Sequence, residues 1–190
     1  MEDIGKDILV RASQGDMRAF EDVYKGSSSF IYNVAFRIVN NREDALEVSQ
    51  EVFMIIYNKL KTFRFESSFK TWAYRITTNT SINYAKKYSR VKTVPFEESL
   101  GEGAVLSEAQ SRMEQEDQSQ LVESLLGELN PDQRACVVLR DIQGLSYEEI
   151  ARVLNININT VRSRLKRSRE RLLSVKKSPA WADGQGGVVL

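Results

Sequence analysis

The chain has 190 residues, 42% of them hydrophobic and 28% charged, a balance that excludes global disorder and suits one ordinary domain or two small ones. With one cysteine, Cys136, and no histidine, it can build neither an internal disulfide, nor a Cys/His zinc centre, nor a histidine-based catalytic dyad. Its 27 basic and 26 acidic residues nearly cancel, and the start Met1-Glu2-Asp3 with only short apolar runs, such as 135–139, predicts a cytoplasmic protein with no membrane insertion of its own.

Three prolines, ten glycines and apolar residues at three- and four-residue steps predict an all-α chain. Helical spacing covers residues 4–13 and 20–39, Asn40-Asn41 signals a turn, and a third helix is expected over 42–61. After a loop holding Phe63, Arg64, Phe65 and Glu66, Ser67 or Ser68 is placed to cap a long helix to about Arg90. Residues 1–91 thus read as a four-helix domain. Over 92–118 the periodicity gives way to Glu, Ser, Gly and Gln, which predicts a flexible acidic linker.

A second helical domain is expected over 119–175. It opens with Leu121, Val122, Leu125, Leu126 and Leu129, and Asn130-Pro131 then starts a helix ending at Gly144. Ser146-Tyr147-Glu148-Glu149 is a capping box, and a turn over 155–159, with Asn159 able to cap, leads into a last helix over 160–174. The tail 176–190, with Pro179 and three glycines, reads as disordered.

Charge is segregated along this plan: −4 over 1–58, +8 over 59–92, −8 over 93–144, +6 over 145–177 and −1 beyond. In the second basic block, two short helices joined by a tight turn are what a major-groove reader requires. Val161, Leu165, Ser168 and Leu172 share one stripe of the last helix, leaving Arg162, Ser163, Arg164, Lys166 and Arg167 around it. Arginine forks can read guanine edges while neighbouring cations hold phosphates. Leu145-Ser146-Tyr147-Glu148-Glu149-Ile150-Ala151 followed by Thr160-Val161-Arg162-Ser163-Arg164-Leu165 resembles region 4 of the bacterial extracytoplasmic-function sigma factors, group 4 of the sigma-70 family. The resemblance implies a minus-35 reader built from Asn159, Thr160, Arg162, Ser163, Arg164, Lys166 and Arg167.

The first basic block holds seven of the seventeen aromatic residues between Phe63 and Tyr88, interleaved with Arg64, Lys70, Arg75, Lys86 and Lys87. Aromatic faces beside a cationic track suit single-stranded nucleic acid. Phe69 and Trp72 share a stripe with Ala73, Ile76 and Thr80 and are expected in the core; Phe63, Phe65, Thr71, Tyr74 and Arg75 remain candidates for contact. The run Ser68-Phe69-Lys70-Thr71-Trp72-Ala73-Tyr74-Arg75-Ile76 with Asn79-Thr80 and Asn83-Tyr84 resembles regions 2.3 and 2.4 of the same family. It implies that Phe63, Arg64, Lys70, Thr71, Arg75 and Asn79 open the minus-10 element and hold an unstacked base.

Glu43, Glu47 and Glu51 stand four apart on one helical face, which by pattern alone is a solvated stripe, a divalent-metal site or a docking face. Glu47-Val48-Ser49-Gln50-Glu51-Val52-Phe53 resembles region 2.2, which implies polymerase binding through Glu47, Gln50, Glu51 and Tyr57. The resemblance implies a sigma region 2 bundle and a region 4 helix-turn-helix. It carries an alternative sigma factor without catalytic residues, metal or cofactor. Its implied partners are core RNA polymerase (the clamp helices of the largest subunit and the flap of the second), promoter DNA and an anti-sigma factor. Two rivals are carried alongside: a conventional helix-turn-helix regulator that binds operator DNA without polymerase, and a metal-dependent nuclease.

Overall fold

A computed structural model describes residues 4–89 and 120–177, so the expected linker and tail lie almost wholly outside the described residues. Four helices form the N-terminal half: α1 Lys6–Ser13, α2 Met17–Val39, α3 Arg42–Leu60 and α4 Phe69–Ser89. Their starts are written in the side chains. The Asp16 carboxylate accepts from the amides of Arg18 and Ala19, Asn41 from that of Asp44, and Ser68 Oγ from that of Thr71. The Asp16 cap lets α2 begin three residues before the expected position 20, and the Arg11 guanidinium beside Asp16, 2.6 Å away, holds its carboxyl below the usual carboxylate range. Asn40 closes α2 in the left-handed region, φ 60°, which asparagine tolerates better than most residues.

Apolar positions three and four apart bring Val23, Ile31, Val48, Val52 and Ile56 together at full burial, with Leu60, Phe69 and Ala73 closing the bundle.

In the C-terminal half residues 120–127 form α5, Pro131–Val137 α6, Tyr147–Leu154 α7 and Ile158–Lys176 α8. The helix expected over 131–144 is α-helical only to Val137; Val138–Ile142 then widens into a π turn in which the Gln143 amide bonds the Val138 carbonyl at 3.0 Å. Gly144, φ 74°, supplies the left-handed residue that ends it. Capping boxes start both α6, through Asn130 and Gln133, and α7, through Ser146 and Glu149. Replacing Asn130 with alanine should lower stability by about 1 kcal/mol, measured by urea denaturation of the full chain.

The expected turn over 155–159 is shorter. Asn155 closes α7 at φ 52°, and Asn157, not Asn159, caps α8 by accepting from the Asn159 amide at 2.8 Å.

A second apolar core joins the halves. Val34, Ile38, Tyr74 and Ile82 from α2 and α4 pack with Leu126, Leu129, Cys136, Val138, Leu139, Ile150, Val161 and Leu165. Burial pushes the Cys136 thiol up to about 11. At the seam Arg134, only 9% exposed, donates through Nε to the Leu126 carbonyl (2.7 Å), through Nη1 to Ile38 (2.9 Å) and through Nη2 to Leu129 (2.9 Å) and Gly127 (3.3 Å). One guanidinium therefore satisfies carbonyls at the C-terminal ends of both α2 and α5, where unpaired acceptors and the negative ends of the helix dipoles gather.

Candidate nucleic-acid interface and docking face

On α8, Val161, Leu165 and Ser168 are buried and Leu172 half-buried, as the stripe requires, and Val175 extends the buried line. The surrounding arginines divide into two sets. Arg164 meets Asp132 at 3.0 Å, Arg171 meets Glu128 at 2.7 Å and Arg169 lies 3.9 Å from Asp141, so these three fasten α8 to the preceding helices. Arg162, Ser163, Lys166 and Arg167 are exposed together on the outer face. Arg162 is steadied by Asn159 Oδ1 at 3.1 Å, Ser163 Oγ bonds the Thr160 carbonyl, and Arg167 has no partner among the described residues. Arg164, a candidate by resemblance, thus stands off this face.

The loop before α4 carries an aromatic cluster. Phe63 is half-buried, its ring 4.9 Å from Trp72 and 4.8 Å from Phe65, while Arg64, Lys70 and Thr71 are exposed. Phe65 adopts φ 56°, an uncommon conformation for an aromatic residue, with Lys6 Nζ 5.2 Å from its ring centre. Tyr74, expected to be available for contact, is instead 4% exposed. Its ring meets Phe30 edge-on, its hydroxyl donates to Gln143 at 2.7 Å, and burial pushes the phenol up to about 12. Helical pattern alone could not reveal this, because the face opposite the first core is covered by the second half. Arg75 Nη2 donates to the Arg152 carbonyl at 3.2 Å, and a cleft of about 470 Å³ between α4 and α7 is lined by Lys70, Thr71, Tyr74, Gln143, Glu149 and Arg152. Asn79 is half-buried farther along α4.

Three stripes run along α3. Ala45, Val48, Val52 and Ile56 are buried; Glu43, Glu47 and Glu51 are exposed; and Leu46, Gln50, Phe53, Met54 and Tyr57 form an outward, largely apolar third stripe. Met54 is 67% exposed and Leu46 56%, so this stripe is not core. With Tyr24, Ser28, Ser29 and Tyr32 of α2, Leu46, Ser49, Gln50 and Phe53 line an open groove of about 520 Å³. Sequence reasoning selected Glu47, Gln50, Glu51 and Tyr57 but missed Tyr24, Leu46, Phe53 and Met54. Their signal was legible as large apolar residues lying off the buried stripe of an amphipathic helix. Among the described residues no group of three acidic or cysteine side chains converges as metal ligands would.

Comparison with known proteins adds to this geometry. A family described as Sigma-70 region 2 matches residues 23–91, and one described as Sigma-70, region 4 matches residues 119–172. The chain is 34% identical over 178 residues to the ECF RNA polymerase sigma-E factor of Escherichia coli strain K12, covering 89% of this chain and 93% of that one. It is 32% identical over 173 residues to the ECF RNA polymerase sigma-E factor of Haemophilus influenzae, covering 86% and 90%. Among solved structures it resembles CnrH in complex with the cytosolic domain of CnrY, with a TM-score of 0.64, 24% identity and coverage of 96% and 100%. It also resembles the sigma factor RpoE in complex with the anti-sigma factor NepR from Bartonella quintana, with a TM-score of 0.60, 23% identity and coverage of 84% and 98%. At those identities the two structures speak to the fold alone.

Proposed function

The chain belongs to the extracytoplasmic-function group of the sigma-70 family, and from that premise we propose how its parts divide the work of promoter recognition. It is an alternative sigma factor, a non-enzymatic protein that directs RNA polymerase to promoter DNA. In our reading residues 1–91 act as region 2, 92–118 as the linker, 119–175 as region 4, and 176–190 as a tail outside both.

Region 4 reads the minus-35 element through Arg162, Ser163, Lys166 and Arg167, with Asn159 and Thr160 at the helix start and Arg164 holding the helix in place. Region 2 engages the minus-10 element through Phe63, Arg64, Lys70, Thr71, Arg75 and Asn79. The α3 face with Glu47, Gln50, Glu51 and Tyr57 docks on the polymerase clamp helices, the apolar groove beside it supplying most of the buried area. The flap of the second-largest subunit is the partner proposed for region 4.

The observation that carries this assignment is the split among the α8 arginines. Ion pairs to other elements take Arg164, Arg169 and Arg171, while Lys166 pairs only within α8, with Glu170 at 3.9 Å, and stays on the outer face in the polar and cationic set a major groove accepts. The bond from Arg75 to the α7 backbone adds a consequence. Arg75 is exposed with one guanidinium nitrogen engaged by α7, so a promoter strand competes with that single bond; in our reading each region alone binds promoter DNA weakly and gains from tethering to polymerase. An anti-sigma factor, the kind of partner bound to RpoE in the Bartonella structure, is proposed as the regulator, and the cytoplasm as the working compartment. Among the described residues no helix is long and apolar enough to cross a membrane.

The test is to select transcribed templates from a randomised promoter library with bacterial core polymerase and this protein. Two spaced elements enriched only when both are present are expected. A palindromic site bound without polymerase would instead favour a conventional regulator, and divalent-dependent cleavage lost in Glu47→Ala a nuclease.

A further inference from the structure

On the side of α4 that faces α3, Tyr84 reaches across to the acidic stripe. Its hydroxyl donates to Glu47 Oε2 at 2.8 Å and to Asp44 Oδ1 at 3.1 Å, so one phenolic proton sits between two carboxylates a helical turn apart. Tyr88, one turn farther along α4, stacks on the Tyr84 ring with centroids 4.4 Å apart, and Lys87 Nζ lies 5.5 Å from the Tyr88 ring centre. The phenol is thereby held from behind and aimed at the carboxylates. Desolvation and the two negative neighbours raise its pKa, so it remains a donor throughout the range in which proteins work.

Glu47 is itself exposed. An unrestrained glutamate on a helix surface samples many rotamers and must give them up to dock, while Asp44 and Glu47, three apart, repel each other. A neutral donor between them removes both difficulties: it fixes the Glu47 carboxylate in one place and screens it from its neighbour without neutralising it.

We propose that Tyr84 is a positioning residue for polymerase docking, pre-orienting Glu47 from the neighbouring helix. The proposal rests on the assignment of Glu47 to the docking face. It also makes α4 serve two contacts, since one side of the helix carries the minus-10 candidates while another sets the geometry of the polymerase interface.

A double-mutant cycle on the full chain tests this, reading affinity for bacterial core RNA polymerase together with melting temperature. Tyr84→Phe keeps the ring and its stack on Tyr88, and should weaken core binding about fivefold with the melting temperature almost unchanged. In a Glu47→Ala background the same change should alter affinity by less than about twofold, because the group it positions is gone. An equal loss in both backgrounds, or a loss that follows a lowered melting temperature, would assign Tyr84 a merely structural role and overturn the proposal. Wild-type affinity in Tyr84→Phe beside a weakened Glu47→Ala overturns the positioning role alone. Wild-type affinity in Glu47→Ala overturns the docking assignment first, and the positioning role with it.

Discussion

Replacing Arg134 with alanine is expected to destabilise the protein by about 3 kcal/mol and lower its melting temperature by about 6 to 12 °C, measured by calorimetry on the full chain. Four backbone carbonyls lose the guanidinium at once: Gly127 and Leu129 at and just beyond the end of α5, Ile38 at the end of α2, and Leu126, which keeps a bond from the Leu129 amide at 3.2 Å. The Ile38, Gly127 and Leu129 acceptors lie at or beyond helix ends, where the helical ladder supplies no replacement donor, and the truncated side chain leaves a void at the seam. Lysine is not expected to restore stability. Its compact ammonium offers three donors at one point, whereas the acceptors are spread around a planar fork. Since the Ile38 carbonyl belongs to the other half, the same substitution should also loosen the seam between α2 and α6.

The second large effect falls on recognition. Arg162→Ala and Arg167→Ala are each expected to cost about 1 to 3 kcal/mol of discrimination at one position of the upstream promoter element, about 5- to 150-fold in relative transcription. The measurement compares holoenzyme transcription from the selected promoter and from single-base variants of it. Relaxed choice at one position with little change at the others is the expected signature. Arg164→Ala should behave differently: its guanidinium is spent on Asp132, which also pairs with Lys86 at 2.6 Å, so the loss should appear in thermal stability before base choice. If all three substitutions relaxed base choice alike, the division of the α8 arginines into fastening and reading sets would be wrong.

The helix starts were legible because their signals are local and chemical: Asn130-Pro131 and Ser146 with Glu149 each name a first turn outright. The buried line of α8 was equally legible, since Val161, Leu165 and Ser168 recur at helical spacing. The start of α8 was misplaced because asparagines at 155, 157 and 159 all fit turn chemistry, and only backbone geometry distinguishes the left-handed Asn155 from the capping Asn157. Tyr74 was misread for a different reason. Periodicity reports that a helix has an inner face; it does not report that a second body covers the outer one. Arg134 escaped notice because a cation beside the apolar run 135–139 carries no signal of the carbonyls that will surround it, three of them nearby in sequence and one 96 residues away. The apolar groove of α2 and α3 was legible by half: Leu46 and Met54 lie off the buried stripe of α3, but nothing in that spacing says that Tyr24 and Tyr32 of α2 stand beside Leu46.

Cys136, the chain's one sulfhydryl, has another use. Sealed within α6 and barely ionised at neutral pH, it is out of reach of a thiol reagent in the closed protein. Modification then has to wait for the C-terminal half to breathe, and its rate becomes a stopwatch for that opening, readable in the natural sequence without an engineered probe. Anything that clasps the two halves should slow the stopwatch, and anything that pries them apart should quicken it.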